Sequence, residues 1–167
     1  MNGVFPVRLA CLAGMLCLWV CGGAKASGAV ELIDAEGMRG QLEEYRGEVV
    51  VLNLWATWCV PCIKEIPDLM TLESELDSRG MRLVAVSMDD PADLGAVEAF
   101  RARHFPEFRT WLRGEPDMDT LVSVVDFAWN GILPTTYLIN REGQVARKIQ
   151  GKWSLDEFRT AVETLLD

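Results

Sequence analysis

Apolar positions along this chain recur with two periods, and the switch between them marks out the elements. Val49-Val50-Val51-Leu52-Asn53-Leu54-Trp55 is a nearly unbroken β-branched run, which predicts a strand buried on both faces. From residue 60 the spacing becomes helical: Ile63, Ile66, Leu69, Met70, Leu72 and Leu76 predict a helix over 60–79, ended by Gly80. Pro61 suits its first turn, whereas Pro67 should bend it. Leu83-Val84-Ala85-Val86-Ser87 predicts a second buried strand. Asp90 as cap and Pro91 as first residue then open a helix reaching His104. Residues 109–112 predict a short strand and 118–125 a short helix. Thr135-Thr136-Tyr137-Leu138-Ile139 predicts a strand, turned by Asn140-Arg141-Glu142-Gly143 into another over 144–149. Ser154 with Glu157 forms a capping box for a last helix that buries Leu155, Phe158, Val162 and Leu165. The fold class is therefore α/β: a mixed central sheet with helices on both faces and a strand/helix insertion in the middle.

The first residues follow a different pattern. One positive charge, Arg8, precedes the apolar stretch Leu9–Val20, and Ala24-Lys25-Ala26 is a small-x-small signal. This predicts an export signal peptide over 1–26, cleaved after Ala26, and a single domain over 27–167. An uncleaved N-terminal membrane anchor is the alternative, although the apolar run falls short of the ~20 residues of a spanning helix. Cleavage removes Arg8 and Lys25 and no acid, so the net charge goes from −9 to −11. So acidic a surface offers no basic patch for nucleic acid or anionic lipid.

Of the 5 cysteines, Cys11, Cys17 and Cys21 lie in the export segment, which leaves Cys59 and Cys62. A pair closing so small a loop adds little stability through chain entropy, so it is there for chemistry. Cys59 stands where a buried strand meets a helix N-terminus, and the free N–H groups and dipole there favour a thiolate, the form that attacks disulfides. Cys62 shares that turn and can resolve the mixed disulfide. Zinc would need more ligands than His104, the 1 histidine, can add. Haem attachment would need His at position 63, where Ile stands. A peroxide-reducing enzyme would want Thr or Ser at position 56, where Ala stands.

Asn53-Leu54-Trp55-Ala56-Thr57-Trp58-Cys59-Val60-Pro61-Cys62 and the following Ile63-Lys64-Glu65-Ile66-Pro67 resemble the active-site segment of the thioredoxin superfamily. More narrowly they resemble its exported TlpA/ResA-like branch. The likeness extends through Gly131-Ile132-Leu133-Pro134-Thr135-Thr136, Gly143 and Gly151, over residues 30–167. It implies a thioredoxin-like fold, a redox-active Cys59–Cys62 disulfide and no other cofactor or metal. Pro134 matches the family's cis-proline beside the cysteines, so Leu133 should offer its main chain to an extended substrate. Trp58 should cover the disulfide from one side, and Trp55 should be core.

Ordinary thioredoxins place a buried Asp where Asn53 stands, and an amide cannot serve as that base. The branch has a Glu at position 65, one turn beyond Cys62, and the resemblance carries that role onto Glu65. If buried, it could exchange protons with Cys62 near neutral pH. The alternative is a solvated surface Glu beside Lys64 and Asp68. Val60-Pro61 lacks the histidine of strongly oxidising exported relatives, which tilts the pair toward reduction. The expected function is thus a monomeric periplasmic disulfide reductase for exported proteins, of the cytochrome c maturation or copper-site assembly type. A membrane electron donor would re-reduce it. Two alternatives stand beside it, a peroxiredoxin-like enzyme and a copper(I) or thiol-binding chaperone drawing on His104. Asp89-Asp90 reads as a helix start that could border the site, and residues 114–131 depart most from the family pattern.

Overall fold

The computed structural model describes residues 28–167. The signal peptide predicted over 1–26 lies outside these described residues. One six-stranded sheet runs in the order β1-β4-β3-β2-β5-β6. The strands are β1 (Glu31–Ile33), β2 (Val49–Trp55), β3 (Met81–Ser87), β4 (Trp111–Arg113), β5 (Thr135–Ile139) and β6 (Val145–Gln150). The helices are α1 (Ala35–Glu44), α2 (Val60–Leu76), α3 (Leu94–His104), α4 (Met118–Val122) and α5 (Leu155–Leu166). The first four strands in that order are mutually parallel, and β5 and β6 are antiparallel to their neighbours. This is the mixed sheet that the pattern predicts, in the thioredoxin-like form that the resemblance implies.

β2 is buried along its whole length, because layers cover both faces of the sheet. Side chains alternate across a strand, so Val49, Val51 and Trp55 enter one apolar cluster with α2 and α5, while Val50, Leu52 and Leu54 enter the other with α4. Asn53 belongs by the same alternation to the α2 side. It lies opposite Thr136 of β5, a polar pair inside an otherwise apolar layer.

Several boundaries differ from expectation, each for a local reason. α2 ends at Leu76 and tightens into a 3-10 turn over Asp77–Arg79, and Gly80 leaves it at φ 91°. Pro67 lies inside α2, which continues through it. Pro91–Asp93 is a 3-10 turn leading into α3, with Asp90 accepting from the Ala92 N–H at 2.9 Å. Leu155 and Leu165 are half-buried rather than buried, and α5 fixes itself through Phe158 and Val162. The capping box is present as predicted: the Ser154 side chain takes the Glu157 N–H, and Glu157 takes the Ser154 N–H. Gly143, at φ 72°, closes the β5–β6 turn, where its N–H donates to Asn140 O at 2.8 Å.

Two elements went unread. β1 pairs with β4 in only three positions, and α1 holds Gly37 and Gly40 with Met38 its one buried residue. Neither carries enough apolar periodicity to be seen in the chain alone.

Candidate active site

The site forms where β2 ends and α2 begins. Cys59 is the N-cap of α2 in extended backbone, with Pro61 in the first turn, where proline's missing N–H costs nothing. Cys59 and Cys62 form a disulfide with S–S 1.98 Å and Cα–Cα 5.3 Å. The Cys62 N–H donates to Cys59 Sγ at 3.3 Å, so a free donor of the helix's first turn already points at that sulfur. Both cysteines are buried, while Trp58 and Val60 beside them are 64% and 59% exposed. Trp58 thus stands out on the rim, and Trp55 is core, its indole N–H donating to Thr110 Oγ1 at 2.8 Å.

Glu65 is 1% exposed, which removes the solvated-surface reading. It continues the stripe Cys62, Ile66, Leu69 that α2 turns toward the sheet. Oε1 accepts from Asn53 Nδ2 at 3.1 Å and Oε2 from the Trp153 N–H at 2.9 Å. Asn53 Nδ2 also donates to Thr136 Oγ1 at 2.9 Å. Removal from water outweighs these donors, together with the Lys152 charge, and pushes the Glu65 carboxyl up to about 7. A group so placed can hold or release a proton at neutral pH.

The Leu133–Pro134 peptide is cis, as the resemblance implies. Pro134 leads directly into β5, the neighbour of β2, and its O accepts the Gly151 N–H at 2.9 Å. The preceding segment is pinned to β5. Trp129 Nε1 donates to Thr135 Oγ1 at 3.2 Å, and Asp126 accepts from Tyr137 Oη at 2.9 Å and pairs with Lys148 at 2.7 Å. Between those anchors Phe127 is 93% exposed. His104 ends α3 packed on the Phe100 ring at 4.7 Å. Among the described residues no three potential metal-ligating side chains cluster, and no helix is long and apolar enough to cross a membrane.

Sequence reasoning placed Asp90 correctly but undervalued Asp89. It is buried, and it accepts from the Thr57 N–H at 2.9 Å, Thr57 Oγ1 at 2.6 Å and Ser87 Oγ at 2.5 Å. The available signal was the hydroxyl pair Ser87, which ends β3 just before this acid, and Thr57, in the turn that follows β2.

Known proteins are similar to this chain in sequence and in fold. The chain is 32% identical over 134 residues to the thiol-disulfide oxidoreductase ResA of Geobacillus thermodenitrificans, covering 80% of this chain and 72% of that protein. It is 36% identical over 120 residues to ResA of Bacillus subtilis, covering 72% and 63%. Among solved structures it is similar to a putative thiol:disulfide interchange protein DsbE from Chlorobium tepidum. That likeness has TM-score 0.62 and 28% identity, covering 75% of this chain and 85% of that one. Fold and site together define a thiol–disulfide oxidoreductase of the ResA/DsbE type on a thioredoxin-like fold. The chain belongs to the AhpC/TSA family, whose model matches residues 23–148.

Proposed function

We propose that this oxidoreductase is a periplasmic disulfide reductase for exported proteins, with Cys59 attacking and Cys62 resolving. The observation that carries the reading is the buried Glu65, held between Asn53 and the Trp153 N–H one turn beyond Cys62. In the reduced enzyme the Cys59 thiolate attacks one sulfur of a substrate disulfide, and the other substrate sulfur leaves with the bonding pair and takes up a proton. Cys62 passes its proton to Glu65, and the resulting thiolate attacks Cys59 Sγ. The second substrate sulfur is expelled. Two electrons have then moved to the substrate, and the Cys59–Cys62 disulfide is the oxidised product.

No cofactor beyond that disulfide is needed. Leu133 presents its main chain to an extended substrate segment beside Pro134, in the manner of an added strand. The exposed Trp58 covers the bound segment from the opposite side. Export through residues 1–26 places the enzyme in an oxidising compartment, so a membrane electron donor must return the pair to the dithiol. Apocytochrome c thiols and copper-site thiols, held as disulfides, are the substrate classes that fit a ResA/DsbE-type enzyme.

A Cys62→Ser variant tests the reading, since it should accumulate mixed disulfides through Cys59 with exported proteins. Failure to trap any exported protein, with no insulin reduction by the wild type, defeats the proposal. The potential of the pair decides its direction: a value near −270 mV marks a reductase and one near −120 mV an oxidant, to about 30 mV.

A further inference from the structure

Glu65 and Asp89 are the acidic residues buried among the described residues, and the exchange above uses only the first. Asp89 follows β3. Ser87 pairs in register with Trp55, and the Met88 N–H donates to Trp55 O at 2.7 Å, so Asp89 comes level with the residues just before Cys59. Its Oδ1 accepts from Thr57 Oγ1 at 2.6 Å, and its Oδ2 from the Thr57 N–H at 2.9 Å and Ser87 Oγ at 2.5 Å. All three partners are uncharged. The buried Arg113 guanidinium, which reaches the same bend, donates instead to main-chain oxygens, Met88 O at 3.1 Å and Pro116 O at 2.6 Å.

The grip falls inside the turn that delivers the nucleophile. The Cys59 N–H donates to Ala56 O at 3.1 Å, so this turn closes around the residue that Asp89 holds. Two residues of chain reach about 7 Å, which keeps the carboxylate within about 10 Å of the Cys59 backbone. At an effective dielectric constant near 20, unit charges about 10 Å apart couple by roughly one pKa unit. The α2 N-terminus favours a thiolate at Cys59, and a negative group behind the turn opposes it.

We infer that Asp89 is a positioning residue for Cys59: it fixes the Thr57–Cys59 turn and, as an acid whose hydrogen-bond partners are all uncharged, disfavours the Cys59 thiolate, biasing the pair toward its disulfide. This rests on Cys59 being the attacking thiol. A reduced form that is less stabilised makes a stronger reductant.

The test compares the full-length protein with Asp89→Asn and Thr57→Val. One readout is the pH midpoint of Cys59 alkylation by iodoacetamide, resolved by mass spectrometry. The other is the equilibrium with glutathione. Asp89→Asn should lower the Cys59 midpoint by about one unit. It should also shift the equilibrium up to about tenfold toward the dithiol, 29.6 mV to less negative potential. Thr57→Val keeps the charge and the Thr57 N–H bond but loses the hydroxyl half of the grip, so it should move both readouts by less than half as much as Asp89→Asn. The inference is overturned if Asp89→Asn lowers only the melting temperature, or if Thr57→Val reproduces its shifts. Should Asp89→Asn fail to fold, Asp89→Ser takes its place with the same two readouts. A wild-type potential near −120 mV would sink the reductase reading alone and leave the Asp89 comparison standing.

Discussion

The two cysteines of one helical turn sit in unlike surroundings. Beside Cys62, Glu65 is enclosed by the Cys62–Ile66–Leu69 stripe and receives two N–H donors, from Asn53 and Trp153. Toward Cys59, Asp89 is tied to the Ser87 hydroxyl at the end of β3 and to the hydroxyl and amide of Thr57 in the turn after β2. The first carboxyl is starved of solvation more than it is compensated, so its proton equilibrium comes to about 7. The second is anchored by the Thr57 amide and by short hydrogen bonds from the Thr57 and Ser87 hydroxyls. The contrast separates two tasks that one C-x-x-C turn must combine. In the proposed reaction a proton comes and goes at the resolving sulfur, Cys62, while the geometry stays fixed at the attacking one, Cys59.

That division can be broken from either side. The largest effect should come from Cys59→Ala, which is expected to abolish insulin reduction, whereas Cys62→Ser should retain the first attack and stop at the mixed disulfide. Equal loss of attack in both would erase the distinction between the sulfurs. Next is Glu65→Gln, which should slow resolution of a preformed mixed disulfide by about 10²-fold and flatten its pH dependence around neutrality, read by stopped-flow tryptophan fluorescence.

The same variant sharpens the comparison through stability. The native Glu65 carboxyl, raised from 4.5 to about 7, binds its proton more tightly than the unfolded chain does. Stability should therefore fall as pH rises from the unfolded value through 7, and the loss is complete above it. Wild type minus Glu65→Gln, measured by urea unfolding of the disulfide form, should decline by roughly 3 kcal/mol between pH 4.5 and 8. A flat difference would mean that Glu65 is not desolvated. The smallest effect tests independence. Ser154→Ala removes the α5 cap next to Trp153 and should cost about 1 kcal/mol in thermal unfolding. It should leave the Glu65 midpoint within a few tenths of a unit.

Much of this was legible in the chain because burial and periodicity coincide there. The run Val49–Trp55 is buried on both faces as read, and the stripe from Ile66 to Leu76, carried back one turn, passes through Glu65 and Cys62. What spacing alone left open was whether that face met solvent, since the Asn53–Thr136 pair and the Trp153 N–H come from distant parts of the chain. Asp89 was obscured for a related reason. An acid before Asp-Pro reads as a helix start, and its real partners, Thr57 and Ser87, converge only once β2 and β3 pair. The segment after β4 was hardest. Its order comes from Arg113 holding the main chain of Glu115 and Pro116, and from Asp126 and Trp129 holding β5, with little hydrophobic periodicity to announce it.

The sheet's two margins carry a consequence for life at high concentration. β1 offers a ladder only three residues long, and β6 carries the exposed Arg147 and Lys148, with Lys148 paired to Asp126 at 2.7 Å and Arg147 lying 5.8 Å over the Trp153 ring. Short or positively charged margins are poor templates for a second copy. Copies of this domain should therefore resist growing into a continuous ladder even when crowded.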